Sequence, residues 1–430
     1  MTRKLLLLSS ALALASCDTF SSKAPLPGKR ESIFVQEATV KPETANGRAS
    51  LSLAQETKNK DWAVPGGSLN HSLDNLALNK NLKKLWSTSI GAGNDSHKRM
   101  VSNLIVSNNT IFAMDTNGKV SALSMDSGKE LWVVATVPEG EEANALGGGL
   151  CAGSGAIFAT TSFGDILALD ARTGKQLWKQ SLQTPIRIAP TLAAGQVIIV
   201  NVANEAYALD AKSGAIKWNH IGLPEATGLL GGGVPAVQGD KIIIPYSTGE
   251  LYALSASNGQ QLWAEALNPA TAFDPLSSIS HIRARPVIHH NKVYAISHGG
   301  RMAAFDLTSG QRHWQKDIGG LRTPAVVQGY LFMINNDNDL VCLDTARGQV
   351  IWAHALKNRA GEEKALWAGP VLAGGKLILT NSNGQIVFIN PVNGQEISVL
   401  DHGDKLSLSP IVVDGKLLVL SDSGQVTVYG

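Results

Sequence analysis

One short pattern is written seven times along the chain, and that repetition limits the fold more than any other feature. Its clearest copy is residues 167–178, LALDARTGKQLW. The apolar run with small Ala168 inside it reads as a strand. Asp170 opens a turn, where its carboxylate can accept a backbone N–H two residues on. Gly174 supplies the left-handed backbone that ends the turn. Gln176 to Trp178 starts the returning strand, with Trp178 as its large apolar side chain. The turn glycine recurs as Gly128, Gly174, Gly214, Gly259, Gly310, Gly348 and Gly394, at spacings of 38 to 51 residues. A tryptophan follows four residues later at Trp132, Trp178, Trp218, Trp263, Trp314 and Trp352, and Ser398 replaces it in the last copy.

A second marker lies ten residues before each turn glycine: Gly118, Gly164, Asn204, Gly249, Gly300, Asn338 and Gly384. Glycine and asparagine best tolerate the positive φ of a tight hairpin. Two further short strands precede each hairpin, so every repeat is four antiparallel strands, the content of a propeller blade. The chain ends with three strands in the same register, up to Tyr429, without a fourth. The missing strand is residues 82–90, LKKLWSTSI, whose Trp86 lies 46 residues before Trp132. The expected fold is all-β: an eight-bladed β-propeller of four-stranded antiparallel blades, closed by an N-terminal strand that completes the C-terminal blade. Closure removes exposed sheet edges. Seven tryptophans share one repeat position, so they read as wedges between blades rather than as a ligand-stacking set.

The 430 residues carry a formal net charge of +2, and removing Arg3 and Lys4 with residues 1–16 leaves zero (2 − 2). No basic stripe interleaves with aromatic residues, which argues against nucleic acid. Cys17, Cys151 and Cys342 form no CxxC pair and stand near no histidine cluster, so metal and redox motifs are absent. Cys151 and Cys342 read as small buried apolar residues. His289–His290, the one adjacent histidine pair, reads as a solvated turn.

The N-terminus has a basic start, an apolar run from Leu5 to Leu14 and small residues before a cysteine. It is an export signal, too short to persist as a membrane span. Leu14-Ala15-Ser16-Cys17 resembles the lipobox of bacterial lipoproteins. That resemblance implies cleavage of residues 1–16 as a signal peptide and lipidation of Cys17. Residues 17–60 read as a polar tether and 61–430 as the propeller, with Trp62 to Gly67 starting the ordered part. In enteric bacteria an Asp after the cysteine tends to hold lipoproteins at the inner membrane, so Asp18 leaves both membranes open.

The motif ALDAxTGxxLW resembles the repeat of pyrroloquinoline-quinone-like propellers, and Gly-His and Trp-Asp signatures of WD40 blades are lacking. Within that superfamily the lipobox, chain length, eight blades and N-to-C closure resemble the BamB family of outer-membrane assembly lipoproteins. Residues 61–71, DWAVPGGSLNH, and 228–237, GLLGGGVPAV, resemble its alphaproteobacterial branch. The resemblance implies a non-catalytic scaffold, without cofactor or bound metal. Its implied setting is the periplasmic face of the outer membrane, held by a lipid anchor, as a single subunit of a hetero-complex. Its implied partner is the barrel-forming assembly protein, contacted through that protein's periplasmic domains.

The copies disagree mainly in the blade-to-blade crossings at about 134–147, 219–233, 264–284 and 355–367, all on one face. A rigid scaffold with variable loops on one face is how binding sites are usually presented. The family's contact region lies in the crossings before the fourth and fifth blades, which implies Leu229, Leu230, His281, Arg283 and Arg285 as partner-binding residues. Enteric members carry an Arg where Leu230 stands and two aspartates where His281 to Arg285 are basic. The bland readings are a close-packed lead into an inner strand for 229–233, and rim charges or partners to acidic loop residues for the two arginines. Charge reversal at Arg283 and Arg285 is expected to weaken partner binding without unfolding the ring. Two other readings are a quinoprotein dehydrogenase and a general periplasmic binding propeller. Dehydrogenases of this superfamily typically use adjacent cysteines and an acidic Ca²⁺ set, and the chain has no adjacent cysteines.

Overall fold

The computed structural model describes residues 40–44, 48–142, 147–225, 228–268, 279–356 and 365–430. Cys17, the signal segment and most of the proposed tether lie outside these residues, as do parts of each long crossing. The described chain forms eight four-stranded antiparallel sheets arranged as an eight-bladed propeller. Blade 2 shows the plan: strands Gly148–Gly153, Ala156–Thr161, Asp165–Asp170 and Gln176–Ser181, each paired with the next. The first three strands of a blade are almost wholly buried, and the fourth alternates between exposed and covered residues.

The opening motif explains how blades hold together. In blade 2 Ala168 pairs with Trp178, and the next pair is Leu169 with Gln176, so a bulge inserts one residue beside the tryptophan. The same bulge follows Ala122, Ala208, Ala253, Ala304 and Cys342. A small side chain opposite the indole leaves room for it to lean into the neighbouring blade. There the Trp178 Nε1–H donates to the Ala211 carbonyl at 3.0 Å, and Trp132 reaches Ala171 in the same way at 3.1 Å. Five more tryptophans repeat that bond, from Trp86 to Trp352. The indole covers the next blade's turn glycine. At Gly214, φ is +75° and a Cβ would stand 2.7 Å from the Trp178 ring. Glycine is therefore demanded twice, by backbone conformation and by space.

Closure follows the expected route. Lys84–Ser89 pairs with Gln425–Tyr429 as the outer strand of blade 8, and Trp86 packs on Gly128 of blade 1. Blade 8 has no turn between its third and fourth strands, because they come from opposite ends of the chain. The junction of blade 7 with blade 8 therefore has no glycine for an indole to cover. There the large and small partners are exchanged: Phe388 occupies the alanine position and Ser398 the tryptophan position. Cys151 and Cys342 are both free and fully buried, and burial pushes both thiols well above their ordinary range. His289 makes more than a solvated turn, since its Nδ1 lies 2.8 Å from the Ser72 hydroxyl.

The ordered body starts earlier than residue 61. Glu43 N–H donates to Val350 O at the outer edge of blade 6, and Ala49 N–H to Val392 O in the blade 7 turn. These are single bridges rather than strands, so they leave no periodic signature in a polar stretch. Residues 57–79 then run around the propeller axis. They bond to the inner strands or first turns of blades 1, 2, 4, 5, 7 and 8 through Trp62, Ala63, Leu69, Asn70, Leu76 and Asn79. Ser72 also contacts the Val326 carbonyl of blade 6. This segment plugs the central channel on the face of the first and third turns, and it satisfies inner-edge groups that burial would otherwise orphan.

Candidate functional site

The crossings open on the opposite face, at the unplugged mouth. Two of them meet there. The lead into blade 4, residues 228–235, precedes strand Ala236–Gln238, and the lead into blade 5, residues 279–286, precedes Val287–His289. Leu229 N–H donates to His281 Nδ1 at 3.0 Å, and Arg283 Nε–H donates to Leu230 O at 2.8 Å. Gly233 is where these two segments touch: a Cβ there would lie 2.5 Å from Pro245 and 2.9 Å from Ile282 O. The glycine run thus has a packing role, and it brings the two leucines to the mouth, both half-buried. Beside them is a pocket of about 280 Å³ lined by Arg187, Asn204, Glu225, Leu229, Ser247 and His281 among others.

The residues expected at the site separate by depth. Leu229, Leu230, His281 and Arg283 form one cluster. His281 is its buried brace, 5% exposed, and accepts rather than offers a contact. Burial first, then the Arg283 charge, lowers its pKa to about 4, so the ring is neutral. Arg285 is not a rim charge. Its backbone N–H donates to Thr323 Oγ1 at 3.1 Å, and its side chain runs inward against Gly66 and His71 of the plug. His71 is neutral as well, lowered to about 3 by burial and by Arg285. Its Nδ1–H donates to Pro286 O at 2.8 Å.

Arg187 lines the pocket beside Leu229, and Arg322 is buried within reach of the Arg283 charge; neither was singled out by the repeat pattern. A proline stands just before five inner strands, at Pro190, Pro235, Pro286, Pro324 and Pro410, and Pro370 lies inside a sixth, Trp367–Ala373. Arg187 and Arg283 both stand three residues before such a proline, Arg322 two before and Arg285 one before. Counting from the prolines rather than from the turn glycines would have gathered the four arginines.

Fold and site together define a pyrroloquinoline-quinone-like eight-bladed propeller whose variable crossings gather at one mouth. A family model described as outer membrane protein assembly factor BamB matches residues 116–354. The assembly factor BamB of Yersinia pestis is 26% identical over 358 residues, spanning 80% of this chain and 88% of the relative. The crystal structure of BamB from Moraxella catarrhalis superimposes with a TM-score of 0.65 at 20% identity, covering 81% of this chain and 97% of that one. The quinohemoprotein alcohol dehydrogenase of Comamonas testosteroni shares the fold, with a TM-score of 0.67 at 14% identity over 87% of this chain and 81% of that one. The chain belongs to the BamB family of outer membrane protein assembly factors.

Proposed function

We propose that this protein is a non-catalytic scaffold of outer-membrane β-barrel assembly, held at the periplasmic face of the outer membrane by a lipid on Cys17. Its partner is the barrel-forming assembly protein, docked through that protein's periplasmic domains on the crossing face. The observation that carries this reading is the family match over residues 116–354, a span that contains both crossings joined at the mouth. Leu229 and Leu230 supply the apolar part of the contact and Arg283 holds their backbone in place, with His281 and Arg285 supporting from below. Leu230 differs from the enteric pattern, and His281 and Arg285 are turned inward, so the contact rests on the apolar Leu229–Leu230 pair rather than on a charged stretch. A dehydrogenase reading is the weaker one. Among the described residues no three His, Cys, Asp or Glu side chains stand close enough to hold a metal ion.

The test replaces Leu229 and Leu230 together by aspartate in the full-length lipoprotein and follows co-purification with the barrel-forming protein. Loss of the partner with an unchanged unfolding midpoint is expected. Undiminished co-purification would remove the assignment. Reversing Arg283 and Arg285 is the poorer test, because their contacts with Leu230 and the plug belong to the fold.

A further inference from the structure

We infer that the plugged end of the central channel is a binding site for an oxyanion group, carboxylate or phosphate, held by Arg285, with Arg283 and Arg322 adding positive charge nearby. Residues 57–79 close one end of the channel. Near that end is a pocket of about 40 Å³ lined by Gly66, His71, Asn103, Arg285, Thr323 and Ser409 among others. That space admits a few water molecules or an oxyanion head. Prolines 324, 370 and 410 stiffen its wall.

The charges here lack an answer. Among the described residues no carboxylate forms an ion pair with Arg283, Arg285 or Arg322. The Nε of Arg285 is buried without any hydrogen-bond partner. His71, its close neighbour, points its Nδ1–H at Pro286 O and is neutral, so it contributes no counter-charge. Burial, and then the charge of Arg283, lower both Arg285 and Arg322 to about 10, so Arg283 repels each of them. A partly dehydrated like-charge cluster is unfavourable until something neutralises it. Guanidinium forks match planar carboxylate and phosphate oxygens in paired hydrogen bonds, which fixes the ligand class.

Two sources can bring that chemistry: a small free anion, or the carboxylate of a peptide arriving through the mouth. The experiment is calorimetric titration of the purified full-length protein at constant ionic strength. One arm uses inorganic phosphate. The other uses a short peptide with a free C-terminal carboxylate, set against the same peptide amidated. Saturable binding in either arm is expected, with at least tenfold weaker affinity in Arg285→Gln. Arg285→Lys keeps the charge but loses the fork, and it is expected to fall between the wild type and the glutamine variant. It also serves as the readout if the glutamine variant does not fold. Binding of phosphate alone assigns a free anion, and preference for the acid over the amide assigns a chain terminus. No saturable binding in either arm, or the same affinity in wild type and the folded variants, overturns the inference. The proposed docking role is read separately, by co-purification with the barrel-forming protein, so failure of either result leaves the other standing.

Discussion

At Gly214 the polypeptide is asked for a left-handed backbone and for the absence of a side chain under Trp178. Gly155 has nearly the same φ, +77°, with nothing within 4 Å of its Cβ position. The pair separates the two demands. Gly155→Ala is expected to cost about 1–2 kcal/mol, the backbone term alone. Gly214→Ala adds the displacement of a packed indole, for a total of roughly 2–5 kcal/mol. Equilibrium denaturant unfolding of both variants measures the difference, and equal losses would remove the space argument. The buried histidines give a second prediction. His71 and His281 have folded pKa values of about 3 and about 4, below the ordinary 6.5. The unfolded chain therefore takes up protons first as pH falls. The stability contributed by the neutral rings is fully present above pH 6.5 and is lost progressively down to about pH 3. The loss is at most about 1.4 kcal/mol per pH unit for each histidine. Unfolding midpoints between pH 7 and pH 4 should decline less steeply in His71→Asn than in the wild type, and parallel declines would contradict this.

Strands and turns could be read from the sequence because each carries its own local physics. Positive φ is seen at Gly118, Asn204 and Asn338 as the hairpin markers required. The plug could not be read this way. Residues 57–79 touch seven blades with a few separate bonds each, so no period of two or of 3.6 appears, and a polar stretch with scattered apolar residues resembles a linker. Leu76 shows what the pattern hid. It is 4% exposed and bridges residues 57 and 373. Leu76→Ala should cost about 2–4 kcal/mol, whereas Leu223→Ala, at a residue 60% exposed, should stay within about 0.5 kcal/mol. Thermal unfolding of the two variants side by side checks the contrast. The exchange of Phe388 and Ser398 was half visible. The missing tryptophan stood out in the sequence, but its compensating partner across the bulge required the register.

At the scale of the whole molecule, closure joins residues 84–89 to 425–429, so the ring's two ends share one sheet. Deleting residues 425–430 strands both Lys84–Ser89 and Lys416–Leu420 without their shared neighbour. A lowered midpoint and a broader, less cooperative transition by circular dichroism are expected, where a local effect would leave cooperativity intact. The ring also separates two faces. One carries short uniform turns and the plug, and the other carries the crossings and the open mouth. Docking is proposed at the mouth, and Arg285, which read as a rim charge in the sequence, runs inward to the plug. The most direct test is site-specific photo-crosslinking in intact cells, with the photoreactive residue at Leu229 or Leu230 on the mouth and at Gly195 or Gly239 on the turn face. Adducts with the barrel-forming assembly protein from the mouth positions, and none from the turn positions, are expected; adducts from the turn face alone, or equally from both faces, would contradict the account.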